Sequence, residues 1–232
     1  MASPYELLTR GELDIKGRMP WSSNATFLVE AELDGDVAQA VYKPHRGERP
    51  LWDFPDGLFK REVAAYELSH ALGWDLVPLT VLREDGPLDE GSLQWFVDAD
   101  FEHHYFTLLE DERYHDAFKR MCVFDILANN TDRKSGHVLV DRDHHIWGID
   151  NGLSFHQEFK LRTVIWDFGG EPIADEILAD VHALLDRDLP APLTDLLDPF
   201  ERDAVRTRAR AVITEGRYPV DTTGRRYPWP LV

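Results

Sequence analysis

Phe27, Val29, Ala31 and Leu33 alternate with Glu30 and Glu32, the period of a half-buried strand. Asp34-Gly35 then marks a hairpin turn, and residues 37–43 form the returning strand, closed by Pro44. Residues 45–56 are rich in Pro, Gly and charge and read as a loop. A helical pattern runs over residues 58–72 and stops at Gly73. Residues 77–82 and 92–97 read as strands joined by a turn at Asp85-Gly86-Pro87. Upstream, Ser3-Pro4-Tyr5-Glu6 has the form of a capping box, with Pro in the first turn, and starts a short helix through Leu7 and Leu8. The first hundred residues therefore predict a small sheet with one inserted helix.

The second half changes period. Residues 112–127 read as a helix with Tyr114, Phe118, Met121, Cys122 and Leu127 on its apolar positions. Residues 137–140 and 145–149 are short strands around the polar turn Asp141-Arg142-Asp143. Helical pattern returns near 173–187 and 199–215, and the Pro-, Gly- and Arg-rich tail after Arg217 is expected to wrap the surface. There is no internal repeat. A boundary near residue 98 divides a sheet-rich part, 1–98, from a helix-rich part, 99–232, in an α+β arrangement.

Composition narrows the partners. The formal charge of −18 over 232 residues repels nucleic acid phosphates and anionic lipid. One cysteine, Cys122, excludes an internal disulfide and a thiolate zinc cluster. Its place in an apolar stripe beside Met121 makes it a core residue rather than a nucleophile. No basic segment precedes an apolar run at the N-terminus, and no stretch reaches membrane-spanning length. The expectation is a cytoplasmic protein, monomeric or a small oligomer, without stable membrane association. His103-His104 and His144-His145 invite a metal reading, but neighbours on a strand point to opposite faces, so they read as surface histidines.

Four features then line up in order. Lys43 ends a strand. Glu62 follows on the next helix, on one stripe with Phe59 and Tyr66, where a carboxylate needs a partner. Asn130-Thr131-Asp132-Arg133-Lys134-Ser135-Gly136-His137 follows a long helix and precedes a hairpin, which ends in Gly148-Ile149-Asp150-Asn151-Gly152. Each has a plain structural reading alone: a strand-end lysine, a solvated glutamate, a turn aspartate, a hairpin end. Together they are the parts of phosphoryl transfer. A lysine neutralises phosphate, a glutamate orients it, one aspartate positions the acceptor hydroxyl, and a second holds the metal.

The chain resembles the phosphatidylinositol 3-/4-kinase-like superfamily and is most similar to its type II 4-kinase branch, through AVYKP, NNTDR and IDNGLSF. WSSNATFLVEAEL resembles that branch's serine-rich phosphate loop. The whole chain also resembles a compact actinobacterial family of kinase-like proteins. The similarity spans about residues 20–170, and the last sixty residues match the lipid kinases poorly. The resemblance implies a two-lobed kinase-like fold binding ATP with Mg²⁺ or Mn²⁺. It implies Lys43 on the α- and β-phosphates, Glu62 paired with Lys43, and Ser22, Ser23 and Asn24 over the phosphates. It implies Asp132 as the catalytic aspartate and Asp150 on the metal. His137 stands where the second metal ligand is usual, and an imidazole suits magnesium poorly. One metal, use of Mn²⁺, or weak activity would each accommodate it. Trp95, Phe96 and Val97 lead into the expected hinge and line an adenine pocket or belong to the core.

Asp167-Phe168-Gly169 repeats the letters of the kinase metal triplet. Asp150 follows Asp132 by 18 residues and one hairpin, whereas Asp167 follows it by 35. The metal role therefore falls to Asp150, and the triplet becomes a turn before the helix near 173. The sequence predicts an ATP-dependent phosphotransferase acting on a hydroxyl of a protein or soluble small molecule. A phosphoinositide acceptor is discounted, because there is neither a cysteine-rich lipidation segment nor a basic amphipathic helix. Two alternatives stay open: a nucleotide-binding pseudokinase that regulates a partner, and a protein nucleotidyl transferase.

Overall fold

The capping box closes as the sequence predicts. Ser3 Oγ accepts from Glu6 N at 3.2 Å and Glu6 Oε2 accepts from Ser3 N at 2.9 Å, starting helix α1 (Pro4–Arg10). The computed structural model describes residues 2–20 and 24–231. Five antiparallel strands form one sheet in the order β1-β2-β3-β5-β4: β1 (Glu12–Arg18), β2 (Phe27–Leu33), β3 (Asp36–Pro44), β4 (Thr80–Arg83) and β5 (Gly91–Trp95). Helix α2 (Leu58–Leu72) is inserted between β3 and β4 and ends at Gly73 in the left-handed region. Asp34 and Gly35 both have positive φ, 53° and 86°, the two-residue turn whose twist matches its strands.

Alternation along β3 divides two faces. Ala40 and Tyr42 are buried with Val29, Val81, Leu93 and Leu8 of α1. Val41 and Lys43 point the other way, into a cleft. Strand β1 is an addition to the sequence reading: Leu13 and Ile15 alternate with Glu12, Asp14 and Lys16 and pack half-buried against the core. The strand predicted over 77–82 starts only at Thr80, because Pro78 has no N–H to give the ladder. The strand predicted over 92–97 stops at Trp95, and Phe96 N turns to Gln39 O at 3.2 Å.

The helical part follows: α3 (Tyr105–Leu108), α4 (His115–Ala128), the hairpin β6 (Val138–Val140) and β7 (Ile146–Gly148), then α5 (Asp175–Leu185), α6 (Ala191–Leu196) and α7 (Pro199–Glu215). The short α3 and α6 are additions to the sequence reading. A single core joins Phe118, Met121 and Phe124 of α4 to Ile177 of α5 and Val205 of α7. Cys122 is part of it, and burial pushes its thiol well above the ordinary range. The tail runs back along the chain. Tyr218 O accepts from Gly170 N at 2.9 Å, Arg226 O from Thr163 N at 3.1 Å and Leu231 O from Ser135 N at 2.8 Å. No helix of the described residues is long and apolar enough to cross a membrane.

Asp167-Phe168-Gly169 forms the turn expected before α5. Phe168 is buried against His115 and Tyr218, and Asp167 Oδ2 accepts from the Tyr105 hydroxyl at 2.7 Å. The triplet is thus a surface turn that anchors Phe168 in the helical core.

Candidate active site

Lys43 reaches out of β3 between two carboxylates. Its Nζ bonds Glu62 Oε1 and, at 2.7 Å, Asp150 Oδ1. Burial works against the ammonium, but Asp150 and Glu62 outweigh it and hold Lys43 above the ordinary lysine range. Glu62 is 3% exposed, so only paired oxygens make its burial tolerable. Its second oxygen accepts from Asn151 N at 2.9 Å. A Cβ on Gly152 would stand 3.2 Å from Glu62 Oε1, close enough that the carboxylate would have to shift by a few tenths of an ångström.

Asp150 sits just past β7 with φ 58°, a left-handed conformation that Asp tolerates better than most residues. The Lys43 ammonium, against the cost of burial, holds its carboxyl far below the usual range. His137 Nε2 faces Asp150 Oδ2 at 3.3 Å. Burial lowers the His137 imidazolium to about 4, so the ring is neutral at pH 7. Its Nδ1 faces Lys134 N at 3.5 Å. That acceptor role places the ring proton on Nε2, toward Asp150.

Asp132 belongs to the loop after α4, which ends at Asn129 with φ 53°. Asn130 Oδ1 accepts from Asp132 N at 2.9 Å, the side chain-to-backbone turn that asparagine favours. Burial raises the Asp132 carboxyl, and Lys134, with Nζ 2.9 Å from Oδ2, opposes the rise. Beneath the loop, Arg133 is fully buried. It donates to Asp125 Oδ1 at 3.0 and 3.1 Å, to Ile149 O at 2.8 Å and to Asn151 Oδ1 at 2.6 Å. One guanidinium therefore joins α4, the Asp132 loop and the segment carrying Asp150.

Two adjoining cavities share Thr26, Lys43 and Asp150. One, of about 270 Å³, is the more polar of the two, with Asn24, Glu48, Arg49, Glu62 and Asp132 among apolar neighbours such as Leu58 and Phe59. The other, of about 260 Å³, is apolar and is lined by Val41, Trp95, Phe96, Val97, Leu139 and Ile149. Ligand sites are commonly apolar hollows with a few convergent polar groups, as here. The structure thus brings Lys43, Glu62, Asp132, His137 and Asp150 together with Asn24 and Trp95-Phe96-Val97. Ser22 and Ser23 lie outside the described residues. The sequence reading had given no role to Lys134, Asn151 or Glu48. Glu48 accepts from the backbone N–H of Gly57, Leu58 and Phe59 at 3.2, 2.9 and 2.7 Å, fixing the start of α2 across the more polar cavity. A Glu nine residues ahead of a helix, in a loop, leaves no pattern that points to this.

The donor set bears on which metal fits. Asp150 supplies carboxylate oxygens suited to Mg²⁺ or Mn²⁺. His137 would suit Mn²⁺ better than Mg²⁺, but the tautomer its contact with Lys134 N favours carries the proton on Nε2, so binding a metal beside Asp150 would require the proton to move to Nδ1. The histidine pairs singled out in the sequence have other duties. His145 Nε2 meets Asp75 O at 2.7 Å, and His144 Nδ1 lies 3.2 Å from the Tyr114 hydroxyl.

A model of the family described as phosphatidylinositol 3- and 4-kinase matches residues 68–176, a span containing Asp132, His137 and Asp150 but starting after Lys43 and Glu62. Protein Rv2133c of Mycobacterium tuberculosis is 40% identical across 97% of this chain and 94% of its own length. Among solved structures, the fold is similar to the Helicobacter pylori proinflammatory kinase CtkA, with TM-score 0.50, 14% identity and coverage of 91% of this chain and 94% of that one. It is also similar to hydra Fam20 with sugar, with TM-score 0.51, 12% identity and coverage of 93% and 90%. The chain has a kinase-like fold, contains a phosphatidylinositol 3- and 4-kinase family domain matched over residues 68–176, and belongs to one family with the mycobacterial Protein Rv2133c.

Proposed function

We propose that the protein moves the γ-phosphate of ATP to a hydroxyl of a protein or a soluble small molecule, in a cleft between lobes 1–98 and 99–232. The observation that carries this reading is Lys43, bonded at once to Glu62 and to Asp150, which is 107 residues away. A lysine fixed in this way at the join of the apolar and the more polar cavity is suited to phosphate whose base lies in the apolar end. Trp95, Phe96 and Val97 receive the adenine there. Asn24 covers the phosphates. Glu62 aims Lys43 and is itself held by the Asn151 N–H. Asp150, with His137 beside it, would hold Mg²⁺ or Mn²⁺, whose chemistry there would be to neutralise phosphate charge. Asp132 accepts the hydroxyl proton, and the rise of its carboxyl on burial makes it a better base than an exposed aspartate. Lys134 is placed to balance the charge of Asp132.

A second reading, nucleotide binding without turnover, is favoured by one observation: His137 gives a neutral imidazole where an oxygen ligand suits magnesium. ATP labelled at the γ- or the α-phosphate, supplied with Mg²⁺ or Mn²⁺ and a cell lysate, separates these readings. Transfer of γ label that Asp132→Ala abolishes is the expected result. Transfer of α label instead identifies a nucleotidyl transferase. Binding without transfer, unchanged by Asp132→Ala, establishes the second reading. Absence of metal-dependent ATP binding overturns both.

A further inference from the structure

We infer that the buried Arg61–Glu201 ion pair is a positioning device through which α7 fixes the rotation of α2 and so sets Glu62 on Lys43. Arg61 and Glu62 are consecutive on α2, about 100° apart around its axis. They hold different partners. Arg61 Nη2 bonds Glu201 Oε1 on α7, and its Nη1 donates to Ser154 O at 3.2 Å. Glu62 bonds Lys43 and accepts from Asn151 N. Two adjacent side chains thus grip residues 151–154 from different angles, and α2 cannot turn without releasing one of them.

Glu201 is itself fixed. Its Oε2 accepts from Asp198 N at 3.0 Å, completing the capping box that starts α7. Two turns further along, Arg208 donates to Leu127 O at 2.9 Å, near the end of α4 and just before the loop with Asp132. Helix α7 therefore registers α2 against that loop. Arg61 and Glu201 are 4% and 5% exposed. A buried ion pair carries a desolvation cost that apolar packing avoids, and its return is a single allowed geometry. Helix α7 lies outside the span that the family model matches.

The part played by Glu62 in phosphoryl transfer rests on the proposed function, whereas the anchoring of α2 does not. Arg61→Lys keeps the charge and loses the fork, and Glu201→Gln keeps an acceptor for the cap. Val205→Ala, in the buried face of α7, serves as a control that loosens α7 without touching Arg61. In nucleotide-free protein, amide exchange at Asn151 is expected to quicken in the first two variants beyond their loss of global stability, and in the control only in proportion to it. The kcat is expected to fall about 10- to 100-fold with a smaller change in the ATP KM. Asn151 exchange that follows global stability alike in all three overturns the inference. Faster Asn151 exchange in a protein that never transfers phosphate supports the anchoring and removes the phosphotransferase reading instead.

Discussion

Two buried arginines support the site, both reaching the segment that follows β7. Arg133 pairs with Asp125, eight residues away, and every nitrogen of its guanidinium is bonded. Arg61 pairs with Glu201, 140 residues away, and its Nε has no hydrogen-bond partner among the described residues. Arg133 is built into the loop it supports, so the loop, the hairpin end and α4 move as one piece. Arg61 joins elements that meet only when the whole chain has folded. The first pair makes the loop rigid, and the second aligns that rigid piece with the helix bearing Glu62.

The difference can be broken by mutation. Arg133→Met leaves the buried Asp125 without its cation and with Thr163 Oγ1 as a remaining donor, so that its carboxyl rises further; the expected cost in chemical denaturation is about 3–5 kcal/mol. Arg61→Met is expected to cost less, about 2 kcal/mol, because Glu201 keeps its bond to Asp198 N. Equal losses would mean that the two pairs are not the distinct supports described. Asp167→Ala deprives the buried Tyr105 hydroxyl of its acceptor and is expected to cost about 1–2 kcal/mol of stability.

The reach of each pair also explains what the sequence could say. Arg133 stands inside Asn-Thr-Asp-Arg, and Asp125 is two turns back on a readable helix, so the loop and hairpin were legible as one unit. The strands β2 and β3, α2 and α7 were legible from period and caps. Edge strand β1 carries only two inward residues, Leu13 and Ile15, an alternation too short to stand out, and α6 was too short to show a period. For the site, order along the chain named Lys43, Glu62, Asp132 and Asp150. It could not name Glu48 or the Arg61–Glu201 contact, since neither loop-to-helix capping over nine residues nor a contact across 140 leaves a local pattern. The triplet at Asp167 shows the converse: letters alone point to a metal site where the fold has a surface turn.

A subtler effect comes from pH. The His137 imidazolium is lowered from 6.5 to about 4 by burial. As pH falls from 6.5 toward 4, the unfolded chain takes up a proton that the folded chain refuses, so stability falls with pH through that window. The slope from this one group is up to about 1.4 kcal/mol per pH unit. Asp150, held low by Lys43, adds its own loss only in stronger acid, below the ordinary aspartate range. Replacing His137 by Asn should flatten the slope between pH 6.5 and 4 in metal-free denaturation curves. An unchanged slope would place the titrating group elsewhere.

The central claim is that the hairpin-end aspartate, not the familiar triplet, completes the phosphate site with Lys43. Calorimetric titration of ATP with Mg²⁺ or Mn²⁺ into Asp150→Ala and Asp167→Ala, side by side with the native protein, tests it most directly. The account predicts that Asp167→Ala binds ATP as the native protein does, with its metal dependence intact, while Asp150→Ala loses the metal-dependent part. Metal-dependent binding that survives in Asp150→Ala and disappears in a folded Asp167→Ala would contradict it.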